Sequence, residues 1–136
     1  MRDWVTAGLV GAVLSGAPSG LLALLAGDNV LDSTAAIATT VLPEDAPRPV
    51  LVGAGVAGHV AISLAWAAAL RRLLGPRPRM AVGAAAGLAI AALDLGVIGR
   101  RLPSIQRLAV GPQILDHLAY GGVVAFTLRR LAGGTA

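Results

Sequence analysis

The sequence predicts an all-α fold: a four-transmembrane-helix bundle with a short amphipathic or capping helix between helices 1 and 2. Three observations carry that expectation. Hydrophobic residues make up 56% of the 136-residue chain and charged residues only 13%, about half the usual charged share of soluble proteins. Aromatics are just 3% and Gly reaches 18 residues, so the apolar mass is Ala, Leu, Val and Gly, which suits close contact between membrane helices better than a bulky soluble core. The charged residues cluster between and at the ends of four apolar runs, at about 4–26, 50–70, 80–98 and 110–128, each near the length a helix needs to cross a bilayer. The chain is read as a single integral membrane domain, 1–136.

The first run carries Pro18 between Ser15 and Ser19. Proline removes one backbone bond and clashes with the preceding turn, so a kink is expected there. Asp3 near the start, the length of the run and the lack of an A-x-A site favour a retained span over a cleaved signal peptide. Asp32 or Ser33 is expected to N-cap a short helix that runs through Leu42 and stops at Pro43, with Ala35, Ala36, Ile37 and Val41 on its apolar face. The second run is framed by Arg48 and by Arg71 and Arg72. A GPRPR link with Arg77 and Arg79 leads to the third, which Arg100 and Arg101 close. The fourth is clearest from Gln113 to Leu128, with Val110 to Pro112 entering the membrane ahead of it.

Cysteine is absent, which excludes disulfides, thiolate metal sites and cysteine nucleophiles. Every basic residue is arginine, and the formal net charge is +4. These arginines sit at the ends of apolar runs, where membrane anchors belong, not along a basic face with interleaved polar or aromatic residues, so no nucleic-acid partner is expected. Exclusive arginine with abundant Ala and Gly reflects the coding bias of a GC-rich bacterial genome. Four spans place the N-terminus, the GPRPR link and the C-terminus on one side, with Arg2, Arg71, Arg72, Arg77, Arg79, Arg129 and Arg130. The other side holds Arg48, Arg100, Arg101 and Arg107. By the positive-inside rule both termini are cytoplasmic, in a multi-pass protein of the bacterial inner membrane.

Ionisable residues inside a span are costly and mark candidate sites. Here they are His59, Asp94, Asp116 and His117. Helical spacing puts Gly55, His59, Ser63 and Trp66 on one face, and Gln113, Asp116, His117 and Tyr120 on another. Gly83, Gly87 and Ala91 form a small-residue seam that carries Asp94. Gly11, Ser15 and Ser19 share a face of the first run. Counted from the outer end of each span, His59, Asp94, Asp116 and Ser19 lie roughly 13, 8, 9 and 10 Å deep. One shared cluster is therefore expected: Ser15, Ser19, His59, Ser63, Asp94, Asp116, His117 and Tyr120.

That cluster reads in two ways. It is either an outer-facing polar pocket with a proton-linked or small-ligand role, or interhelical glue in a structural or accessory subunit. In the first reading Asp94 and Asp116 exchange protons, and His59 and His117 act as relay or ligand contacts, with Ser19, Ser63 and Tyr120 lining the site. Transport by so small a chain would call for a homodimer, and the accessory reading calls for a partner membrane protein. Asp94 has a simpler alternative partner in Arg101, seven residues on. A b-type haem or a divalent metal at His59 and His117 is chemically open, but no HExxH-like spacing supports a metal and Asp116 fits a haem pocket poorly. Ser19, His59 and Asp94 can be drawn as a triad, yet no nucleophile elbow accompanies them, so no residue is assigned a catalytic role.

The stretches LSGAPSGLLAL, H-x-x-x-S-x-x-W, GLAIAALDLGVIGRRLPSIQRL and PQILDHLAYG together resemble a group of small actinobacterial membrane proteins. The resemblance covers most of the chain, and its most specific parts are LDLGVIGRR and DHLAYG. It implies a four-span architecture and carries no chemistry. Where that group usually continues with Thr-Leu-His after the first Pro-Ser, this chain has Gly20, Leu21 and Leu22.

Overall fold

The computed structural model describes residues 3–133. All regular elements among them are helical: α1 (Asp3–Leu14), α2 (Ala17–Ala26), α3 (Asp32–Ala38), α4 (Arg48–Leu74), α5 (Met80–Leu93), α6 (Pro103–Gln106) and α7 (Val110–Gly133). A π-helical turn, Asp94–Ile98, and a 3₁₀ turn, Gly99–Arg101, prolong α5. The all-α expectation holds. Three segments are long and apolar enough to cross a membrane: Asp3–Ala26, Arg48–Leu74 and Met80–Arg101. At 27 residues α4 is about 40 Å long, more than the hydrocarbon thickness of a bilayer. The fourth expected span, α7, has 24 residues but is not among the three. Gln113, Asp116 and His117 dilute its first half.

α7 is central. It packs on α5 along one side and on α1 and α2 along the other, and α4 lies beyond α1 with α3 against its start. Its Val124 and Leu128 are fully buried. They join Ala7, Ala67, Leu70, Ile90 and Tyr120 in the main apolar core, with Trp66, Leu74 and Ala86 packed against it. Trp66 is therefore a packing residue. A smaller cluster of Ala35, Ala38 and Leu51 holds α3 to α4.

Glycines decide how closely the helices approach. A Cβ on Gly83 would strike the Gly121 carbonyl and the Ala125 side chain, and one on Gly87 would strike the His117 carbonyl. The predicted seam on α5 thus meets a matching glycine on α7, and the two backbones touch. Gly55 has a different use from the one its stripe suggests, because the Thr34 carbonyl of α3 occupies the place its Cβ would take.

Side chains tie the helix ends together. The Arg71 side chain donates to Asp3 at 2.6 Å, and that of Arg77 donates to the Ala132 carbonyl at 2.8 Å. The start of α1, the α4–α5 link and the end of α7 therefore share one end of the bundle. Arg2, counted with that end, lies outside the described residues. At the opposite end Arg48 pairs with Asp32 at 2.8 Å and Arg107 with Glu44 at 2.9 Å. The Thr39 and Ser104 hydroxyls meet at 2.5 Å. These exposed pairs contribute little individually, but together they pin α3 and α6 over the bundle end.

Two local expectations are corrected. α3 ends at Ala38, not Leu42, because Thr39 and Thr40 turn their hydroxyls back onto the Ala36 and Ile37 carbonyls. Neither Asp32 nor Ser33 caps it. Leu31 holds the N-cap position, Asp32 is spent on Arg48, and Val41 is 80% exposed instead of lying on an apolar face.

Candidate functional site

The site begins at a break in the first span. Pro18 has no N–H, so the chain does not continue as one helix; α1 stops at Leu14 and α2 starts at Ala17. In an unbroken helix the Ala12 carbonyl would accept from the Gly16 amide, and the Ser19 amide would donate to the Ser15 carbonyl. Two side chains from other helices take these groups instead. His59 of α4 places Nε2 at 3.0 Å from the Ala12 carbonyl. A carbonyl only accepts, so Nε2 carries the proton and donates. From α7, the Asp116 carboxylate accepts the Ser19 amide at 2.9 Å. A carboxylate at the start of α2 and a ring N–H donor near the end of α1 also match the two helix dipoles. The Ser19 hydroxyl donates to the Gly16 carbonyl at 3.3 Å and tightens the same turn.

The other pair forms where α5 gives way to the π-helical turn. There the Gly99 amide donates to the Asp94 carbonyl, five residues back. The Asp94 Oδ2 lies 3.2 Å from His117 Nε2. Across the ring, His117 Nδ1 lies 2.8 Å from the Gln113 carbonyl, so Nδ1 must donate. Nε2 then has two options. It donates to an ionised Asp94 from an imidazolium, or it accepts from a protonated Asp94. Either way the pair retains one shared proton, because without it a nitrogen lone pair would face a carboxylate. Both side chains are about a quarter exposed or less, 22% for His117 and 24% for Asp94.

Tyr120 completes the set. Its hydroxyl donates to the backbone carbonyl of Ser63, and its ring fills the space left open by Gly11. Ser63 thus takes part through its backbone. Tyr120→Phe is expected to lower stability by about 1 kcal/mol, the net worth of one such bond. Thermal unfolding in detergent, followed by circular dichroism, measures it.

The predicted residues are therefore partly assembled. Asp94 meets His117 and Asp116 meets Ser19. His59 reaches the α1 backbone and not another side chain of the set. Ser15 is buried at 3% exposure but joins none of these bonds. Arg101, the alternative partner considered for Asp94, is not the one it takes. Among the described residues no group of three or more His, Asp or Glu side chains converges as a metal site would require. His59 and His117 are each committed to partners of their own. Sequence reasoning missed Ala12, which contributes only a carbonyl and carries no side-chain signal, and it placed Gln113 on the polar stripe without foreseeing that its backbone carbonyl is what His117 meets. It also missed Gly121, although its neighbour Gly122 makes a visible Gly-Gly pair.

The chain matches no family model, no curated protein and no solved structure.

Proposed function

We propose that the protein is a four-span membrane protein of the bacterial inner membrane, with both termini cytoplasmic, whose intramembrane polar residues divide into two jobs. Asp94 and His117 form a proton-exchanging pair. His59, Asp116, Ser19, Ser63 and Tyr120 hold the helices around it in register. The observation that carries this reading is His117 itself: both ring nitrogens face an acceptor-capable oxygen, so the pair must hold a proton to keep its bond. Support for its being coupled to backbone shape comes from the π-helical turn that starts at Asp94, a feature frequent at functional sites. α7 counts as the fourth span because it is about 36 Å long and antiparallel to α5, and because Asp116 and His117 in its polar half are each bonded to another segment, at Ser19 and Asp94. The bilayer reading is supported by α2, which buries no residue and exposes Leu21, Leu24 and Leu25 at 59%, 67% and 76%.

The second reading is an accessory subunit in which every polar residue serves packing. It is favoured by His59, Asp116 and Tyr120, each of which is spent on a backbone group of another helix.

Magnetic resonance of the lipid-reconstituted protein separates the two readings. The His117 ring nitrogens and the Asp94 carboxyl carbon are followed from about pH 5 to about pH 8, the range in which histidine switches. A proton-exchanging pair gives one transition seen at both residues. In Asp94→Asn the helical content stays, and His117 titrates alone. Constant His117 signals across the range, or loss of the folded state in Asp94→Asn, would support the accessory reading instead.

A further inference from the structure

A groove of about 700 Å³ opens at the arginine-rich end of the bundle, between the start of α5 and the end of α7, lined by Met80, Phe126, Arg129, Arg130 and Gly133. It is far from the polar cluster, and its walls are of two kinds. Met80 and Phe126 are apolar and exposed, at 54% and 42%. Arg129 and Arg130 are cationic, and the Arg130 guanidinium lies over the Phe126 ring at 5.0 Å from its centroid. No acid is among the described residues that line it. The one carboxylate described at this end, Asp3, is taken by Arg71. The Arg77 side chain already caps the Ala132 carbonyl, which offsets the partial negative charge at the end of α7. Neither Arg129 nor Arg130 has an ion-pair partner among the described residues.

We propose that this groove binds the headgroup of an anionic phospholipid, with its phosphate on Arg129 and Arg130 and the first part of an acyl chain along Met80 and Phe126. Three properties select that occupant. The groove sits at the end of apolar spans, where headgroups lie. It joins cationic and apolar walls within one opening, as an amphiphile requires and a free anion does not. Neither arginine is held by an acid among the described residues, so an anionic phosphodiester engages both without displacing one. Basic recesses between spans at a membrane surface bind anionic headgroups by this combination. The proposal is independent of the proton-exchange reading, since it shares no residue with it.

The test uses the purified full chain in phosphatidylcholine vesicles with and without phosphatidylglycerol. Lipid retained on the protein is counted by native mass spectrometry, and the thermal midpoint is followed as phosphatidylglycerol is added. Saturable retention and a rising midpoint are expected for the unaltered chain. Arg129→Gln with Arg130→Gln should weaken retention about thirtyfold, as loss of two surface arginines implies, and Arg129→Gln alone about fivefold. The pair Arg100→Gln and Arg101→Gln removes the same charge at the opposite end and should leave retention unchanged. Circular dichroism checks that each variant is folded, and the single variant decides if the double one is not. Equal loss in the Arg100 and Arg101 pair would overturn the proposal in favour of net charge. Displacement of the lipid by inorganic phosphate would overturn it in favour of a free-anion site, and indifference to phosphatidylglycerol would leave no headgroup site at all.

Discussion

Valine in place of Gly121 is expected to destroy the native bundle. A Cβ at this position meets the Gly83 carbonyl, and the Gly87 nitrogen and Gly83 carbonyl carbon lie 2.8 and 2.9 Å from it. All three are backbone atoms, so no side chain can rotate away to make room. The only relief is to separate α5 from α7, the most extensive helix pair in the molecule. Overpacking a well-packed core costs about 1–3 kcal/mol even when side chains can yield. Here the whole seam opens, and the cost is expected at or above about 3 kcal/mol, with loss of the Asp94–His117 bond as a consequence. Gly122→Ala is the control. Its Cβ would meet only Ala84, at 4.0 Å, and the change should be neutral or stabilise by up to about 1 kcal/mol, the helix preference of Ala over Gly. Unfolding in mixed detergent micelles, with size-exclusion chromatography to detect aggregated material, distinguishes the two. A Gly121→Val protein as stable as its parent would show that α5 and α7 do not pack through this seam.

Asp116→Ala should have the next largest effect. It leaves the Ser19 amide without its acceptor at the point where Pro18 has already broken the helix. An amide left without an acceptor where the bilayer offers no water costs about 1–3 kcal/mol. Asp116→Asn keeps an acceptor oxygen and should recover most of the loss. His59→Ala should act in the same direction through the Ala12 carbonyl. These costs have a common origin, which makes a sharper prediction possible. Pro18→Ala restores an N–H and allows one continuous helix, so the Ala12 carbonyl and the Ser19 amide regain intrahelical partners. In that background Asp116→Ala and His59→Ala should become nearly neutral. Stability measured across the set of single and double variants reads out the coupling directly. Undiminished costs in the Pro18→Ala background would mean that His59 and Asp116 matter for something other than the break.

The break also shows why the cluster was only partly legible. Stripe and depth arguments brought Asp94, Asp116, His117 and Ser19 to one level, and the two bonds among them form at that level. The stripe marks His59 as a residue that meets another helix, yet its partner is a carbonyl that Pro18 leaves exposed. Side-chain patterns contain no record of which backbone groups will be orphaned, because that depends on where the helix restarts. Asp94 illustrates the same limit. Seven-residue spacing makes Arg101 a reasonable partner on a regular helix, but the π-helical and 3₁₀ turns after Leu93 change the rotation and remove that option.

Several of the arginines tie helix ends to one another. The Arg71–Asp3 and Arg77–Ala132 contacts unite the three segments assigned to one side, and Arg48 and Arg107 hold the other. The short α3 was less legible. Its threonines compete for backbone carbonyls at Ala36 and Ile37 and end the helix a turn early, a local contest that average propensities leave undecided.

By itself the sequence determined that this chain is helical, apolar along its length, charged at the ends of its helices and interrupted at Pro18. These are properties of composition and local spacing, and each acts within one or two turns. Only the tertiary structure decided that α7 is the central helix, that Gly121 receives α5, and that His117 shares a proton-holding bond with Asp94. The physical reason is that backbone contact and orphaned backbone groups exist only once helices have met. A glycine, a carbonyl or an amide looks the same in the sequence whether it faces lipid, a neighbour or a break.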